Sequence, residues 1–419
     1  MRLFHDRAPA PRRRRHRSPL SLLSVLAVGA LTASMLVVLP EGADEASAAA
    51  NHAPINIGIV CSCLTVLASS NGIAVPGIVA WEKWVNAKGG INGHKVNLIM
   101  ENDDASPALA LPEVQKLVTQ DHVIAIGQDS DADSAFTSYI AQQHIPVIGL
   151  GSEATQDYTN SDFFASGQTE SSGAASTVEA MKLSKVTKLA LLYCAEAAVC
   201  AESVPSEEQA LLKAGMKATY VTAISSVLPS YAAQCLAAQQ SGAQAMAVGD
   251  GASVIETIAK DCHSQGYNPV WIQGDGSLAV AFTTSVGLST DTISAQPDLP
   301  WTAKSAPGIK QMDAAFNKYE PTLLTNPDFN ELAVQAWVTG LLIQAAGKAG
   351  HLGVNGPPTA KELYAGLYAL KNDTLGGIAP PLNFKKGQPN PINCWYWMKV
   401  SHGKFTTPYG LKATCSGKA

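Results

Sequence analysis

The feature that most constrains this chain is a regular alternation of short apolar runs with helical segments. Residues 55–60, 123–127, 145–149, 188–193, 217–223, 245–249 and 270–273 read as strands. Between them, 73–88, 111–120, 135–144, 173–183, 204–214, 231–241 and 253–265 read as helices, with Pro112 placed in the first turn of its helix. Strands joined through helices pair in parallel, and a parallel sheet is covered on both faces, so the fold class is α/β and doubly wound. The pattern restarts after Ser166, which implies a second unit of the same kind. Farther on, 330–350 and 359–369 read as helices, and 393–399 with 404–407 as a hairpin about Ser401-His402-Gly403. Residues 297–301 read as a crossing back to the first unit.

One junction is spelled out closely. Asn86-Ala87-Lys88-Gly89-Gly90-Ile91-Asn92-Gly93 follows a segment with apolar residues at helical spacing and precedes 94–100, which alternates like a half-buried strand. Gly89 and Gly90 suit the positive φ at a helix C-terminus, and Asn92-Gly93 is a turn dipeptide. Physics alone gives a helix-to-strand connection here and no function.

This octapeptide resembles the amino-acid-binding family of extracytoplasmic solute-binding proteins, which feed ABC importers and whose best-known members bind leucine, isoleucine and valine. The family pattern is a first strand, a long helix, N-A-x-G-G-I-x-G, then a strand ending in acidic residues; 55–60, 73–88, 86–93 and Glu101-Asn102-Asp103-Asp104 match it in turn. The resemblance covers nearly all of 51–410 and implies two Rossmann-like lobes joined by a three-crossing hinge, with the ligand cleft between them. By that comparison lobe one is 51–166 plus 289–386, and lobe two is 167–288 plus 387–419. It implies a monomer that traps a small-molecule ligand and presents it to an ABC permease complex in the membrane. A module of the same fold that signals to a membrane receptor is the alternative.

Composition excludes other classes. The first fifty residues hold seven Lys/Arg and four Asp/Glu; the rest holds 22 against 30, so net −8, which argues against a nucleic-acid partner. Basic residues at 12–17, an apolar run at 20–39 and small-residue cleavage sites at 46–50 read as a signal peptide over 1–50, with an uncleaved anchor as the competing reading. Export places the chain in a periplasm or cell-wall space. Eight cysteines fit an oxidising compartment, and proximity suggests Cys194 with Cys200, Cys235 with Cys262, and Cys394 with Cys415. Cys61-Ser62-Cys63 stays open between thiols and a bridge; no second Cys or His pair gives it metal spacing, so neither metal nor cofactor is expected. No P-loop, Gly-x-Ser-x-Gly elbow or full dinucleotide fingerprint is present, and an enzyme is not expected.

Ligands of open parallel sheets sit beyond the carboxyl ends of the strands. That rule nominates the loops 61–72, 128–134 and 150–155 in lobe one, and 194–200, 250–253 and 274–278 in lobe two. The resemblance places contacts in the same loops. Ser130, flanked by Asp129 and Asp131, matches the serine that holds a ligand carboxylate. Ser152 and Glu153 stand in the family's Gly-Ala-Thr turn, with Glu153 departing from Thr. Asp275 matches the acidic residue that takes a ligand ammonium, and Asp250 or Gly251 stands where many members carry an aromatic. Helix capping and solvation are the ordinary alternatives for each. If several of these acids point inward, the ligand carries an amine or a positive charge.

Overall fold

The computed structural model describes residues 53–64, 68, 71–149, 158–274 and 276–416, the side chains of 170 and 171 excepted. The expected signal peptide lies outside the described residues. The first sheet is built around β1 (Ile55–Cys61), whose sequence INIGIVC is apolar enough to be covered on both faces. β2 (Val96–Asn102), β3 (Ala125–Asp129), β4 (Val147–Ile148) and β5 (Phe163–Phe164) complete a parallel sheet ordered β2-β1-β3-β4-β5. Helices α1 (Ala74–Ala87), α2 (Pro107–Thr119) and α3 (Thr137–Gln143) make the crossovers. The helix expected from 111 begins at Pro107 instead, behind an extended Ser106, and Pro112 lies inside it rather than in its first turn. Proline at the first helical position gives up no hydrogen bond, which is why the start lies there.

The second sheet follows with α4 (Glu170–Leu183), β6 (Lys188–Cys194), α5 (Ala198–Glu202), α6 (Val204–Lys213), β7 (Lys217–Ile224), α7 (Ala232–Gln240), β8 (Ala245–Gly249), α8 (Ala252–Ser264), β9 (Val270–Gln273) and β10 (Thr292–Gln296). β10 runs parallel to β9, so this sheet keeps the chain through Gln296, past the boundary expected at 288. The chain then gives α9 (Pro307–Tyr319), α10 (Glu331–Ala349) and α11 (Ala360–Ala369), a short ribbon of β11 (Lys371–Asp373) and β12 (Leu382–Asn383), and finally β13 (Cys394–Ser401), β14 (Lys404–Thr406) and β15 (Thr414–Cys415). β13 runs antiparallel to β10 and extends the second sheet to β14-β13-β10-β9-β8-β6-β7.

The octapeptide has a structural job. Asn86 grips the first residue of β2 with both atoms of its amide, to Val96 N–H and C=O at 2.8 Å each. Ile91 is fully buried, and Asn92, at φ 51°, donates to the carbonyls of Gly347 and Leu352 at the end of α10. A Cβ on Gly90 would lie 1.9 Å from the carbonyl oxygen of His94, so only glycine closes this turn. The helices joined this way approach closely: a Cβ on Gly77 of α1 would meet Ala333 O at 2.4 Å, and one on Gly340 of α10 would meet the Trp81 ring at 2.1 Å.

Three segments cross between the sheets, at 165–169, 297–306 and 384–393. They touch one another. Gly167 lies against Pro297, where an added Cβ would come within 2.6 Å, and the Thr169 N–H and Ser172 hydroxyl both donate to Ile392 O, at 3.2 and 3.1 Å. The cysteines form Cys194–Cys200, Cys235–Cys262 and Cys394–Cys415, and Cys61 bonds Cys63. Cys235–Cys262 joins α7 to α8, and Cys394–Cys415 fastens β15 to β13.

Candidate functional site

The carboxyl ends of both sheets open on one cavity of about 230 Å³. The first lobe gives it Asn71 and Asp131; the second gives the ends of β6, β8 and β9 at Cys194, Asp250 and Gly274. Its floor is apolar, from Leu191 of β6 and Ala247 of β8, and Leu332 of α10 closes one side. Gly173 and Thr177 of α4 and Glu207 of α6 complete the far wall. The Cys194–Cys200 disulfide lies on the wall itself, and Ala105 of the first lobe packs against its small apolar cluster.

The first-lobe edge is held by a hydrogen-bonded lattice around Asp103, which is fully buried. Ser62 donates to one Asp103 oxygen at 2.7 Å, and Ser130 donates to the other. Ala105 N–H adds a third bond at 3.0 Å. The Ser62 oxygen in turn accepts the Asp131 N–H at 2.9 Å, and Asn71 Nδ2 donates to Asp131 Oδ2 at 2.8 Å. So Asp131 is fixed by its backbone and by one oxygen while it faces the cavity. Burial pushes its carboxyl up to about 6, with the Asp103 charge adding to the rise and the Asn71 bond opposing it. Burial likewise raises Asp133 to about 7, beside Gln128.

Across the cavity, Asp250 follows β8. Its Oδ1 accepts Gly251 N–H at 2.7 Å, and its buried Oδ2 meets no partner among the described residues. Burial raises this carboxyl to about 6, and Glu196 adds to the rise.

Of the expected residues the structure brings Asp131 and Asp250 to the cavity wall. Asp129 and Ser130 are buried beside it and are not part of its lining, the Ser130 hydroxyl being bonded to Asp103. Ser152, Glu153 and Asp275 lie outside the described residues. Asn71 belongs to a loop that the strand-end rule nominated, without a signal of its own. Asp103 was visible only as one of four polar residues after a strand, and Glu207 sits on a helix where nothing in the sequence marks it. Among the described residues no group of three His, Cys, Asp or Glu could hold a metal ion, and no helix is long and apolar enough to cross a membrane.

The sequence matches the family described as "Periplasmic binding protein" over residues 54–404. No curated protein sequence matches it significantly. Among solved structures, a branched chain amino acid ABC transporter protein from Thermus thermophilus with bound valine is similar at TM-score 0.77 and 14% identity, covering 87% of this chain and 97% of that one. A fatty acid ABC transporter substrate-binding protein from Thermomonospora curvata is similar at 0.72 and 17%, covering 87% and 92%. A solute-binding protein of an ABC transporter from R. palustris in complex with benzoate is similar at 0.71 and 15%, covering 87% and 98%. At such identities the likeness is one of fold. The match over most of its length and the cleft between two largely parallel sheets establish that this chain belongs to the periplasmic binding protein family, whose members bind ligands and are not enzymes.

Proposed function

We propose that the protein is an exported solute-binding protein that captures a small polar molecule, an amino acid or a related amine or amide, and delivers it to an ABC importer. Capture is by hinge closure: the solute bridges the two lobes, and the closed form is what the permease meets. The observation that carries this reading is the position of the cavity, lined by Asp131 from one lobe and by Asp250 from the other. A solute held by both lobes favours the closed form by its differential affinity, so binding and closure are one event. Of the structural relatives, one holds valine, one is a fatty acid transporter's substrate-binding protein and one is in complex with benzoate, so the fold by itself does not select the solute.

The test is a thermal-shift screen of the purified protein against amino acids, amides, polyamines and small aromatic acids, followed by small-angle scattering on any hit. A solute that binds only the folded state raises the melting midpoint with concentration. A hit that also contracts the radius of gyration supports capture by closure. A hit that leaves the radius unchanged overturns the hinge mechanism.

A further inference from the structure

Resting on the solute-capture reading, we propose that the captured solute is a cation, an amine or guanidine on an apolar body, and that it carries no carboxylate. The charges on the wall are of one sign. Asp131, Glu207 and Asp250 line the cavity from three different elements, and no Lys, Arg or His lines it among the described residues.

Among the described residues no cationic side chain lines the cavity to hold a carboxylate. Residues 51–419 contain no arginine, the side chain whose planar fork matches a carboxylate with two parallel bonds. Ser130, in the place of a carboxylate-holding hydroxyl, donates to Asp103 and accepts Ala132 N–H at 3.0 Å. Helix N-termini are the positive poles near the cavity, each worth about half an elementary charge: α6 beginning beside Ser203, α8 beside Asp250, α10 at Leu332, and α4 beside Thr169. The capping box of α4 already joins Thr169 and Ser172 in both directions, which occupies the third N–H of the helix. Carboxylates already occupy the other three poles, Glu207 at α6, Asp250 at α8 and Glu331 at α10.

An ammonium finds what it needs. Asp250 Oδ2 is buried and without a partner among the described residues, and Asp131 is already oriented by Asn71. Burial raises both carboxyls by disfavouring their charged form, and an ammonium beside them offsets that cost. The hydrocarbon body then has Leu191, Val199, Ala247 and Leu332 to lie against. Asp250 is thereby a specificity residue.

Calorimetry at pH 7.5 with three probes of nearly equal body, n-hexylamine, hexanoate and norleucine, tests this. The expected result is binding of hexylamine at least tenfold tighter than norleucine, with no heat from hexanoate. Asp250→Asn and Asp131→Asn, each checked for a native circular dichroism spectrum, weaken hexylamine at least tenfold; two variants guard against one failing to fold. Binding of hexanoate or norleucine as tight as that of hexylamine overturns the cation while leaving solute capture intact. Binding of none of the three also overturns it, and solute capture is then decided by the broader screen above.

Discussion

The hydroxyl of Ser130 donates to the carboxylate of Asp103, and with that bond a residue at the end of β3 is committed to the end of β2. Asp103 takes in Ser62 and Ala105 as well, so one buried side chain ties three strand ends together under the cavity. Asp103→Ala leaves these donors without an acceptor. The expected loss is about 3 kcal/mol of stability, read as a lower urea midpoint with an unchanged slope. Solute binding weakens with it, because Ser62 and Asp131 lose their support.

Asn92→Ala separates the family's most diagnostic residues from its binding site. The substitution removes two bonds to the end of α10 and puts alanine at positive φ, at a cost of about 2 kcal/mol in urea unfolding. None of residues 86–93 lines the cavity, so the dissociation constant of a bound solute stays the same in calorimetry.

Stability falls as pH rises. Asp131, Asp133 and Asp250 sit at about 6, 7 and 6 in the folded protein, above the ordinary carboxyl value. From about pH 4 to 7 the folded state therefore holds protons that the unfolded chain has released. Their contribution is whole below that window and is lost as pH climbs through 6 to 7. The melting midpoint is expected to be higher at pH 5 than at pH 8, with a smaller difference in Asp133→Asn.

The Cys235–Cys262 bridge closes a loop of 27 residues between two helices whose cysteines are fully buried. Replacing both with alanine frees the unfolded chain and costs about 3 kcal/mol. Guanidine unfolding of the double variant, with and without reductant, checks it: the midpoint drops, and a reductant no longer shifts it by the same amount as in the parent.

The sequence made the architecture plain because α/β folds announce themselves in period. β1, β6, β8 and β9 are apolar runs between helices, and their carboxyl ends located the cavity. β10 did not show itself: Thr292, Ser294 and Gln296 are buried although polar, the Thr292 hydroxyl bonding Leu288 O at 2.7 Å and Gln296 bonding Ser294 at 2.7 Å. Ile293 and Ala295 alternate with these polar residues, but both faces are buried, so the strand lacks the apolar run that marks its neighbours. At the site the limit was direction. Asp129, Ser130 and Asp131 are adjacent in the chain, yet only Asp131 reaches the cavity. Which of three neighbours faces the cavity depends on contacts made by Ser62 and Asn71, which lie 69 and 60 residues upstream along the chain.

The three crossing segments are fastened to each other, Gly167 to Pro297 and Thr169 to Ile392. Linkers that flexed independently would let the halves slide, tilt and twist, and each orientation would offer the membrane a different face. If capture is by closure, as proposed, segments strapped together act as a single pivot with one arc of travel. A docking surface that spans both halves would then be complete only at the closed end of that arc, so a permease would have a single shape to distinguish, and an empty molecule would not counterfeit it.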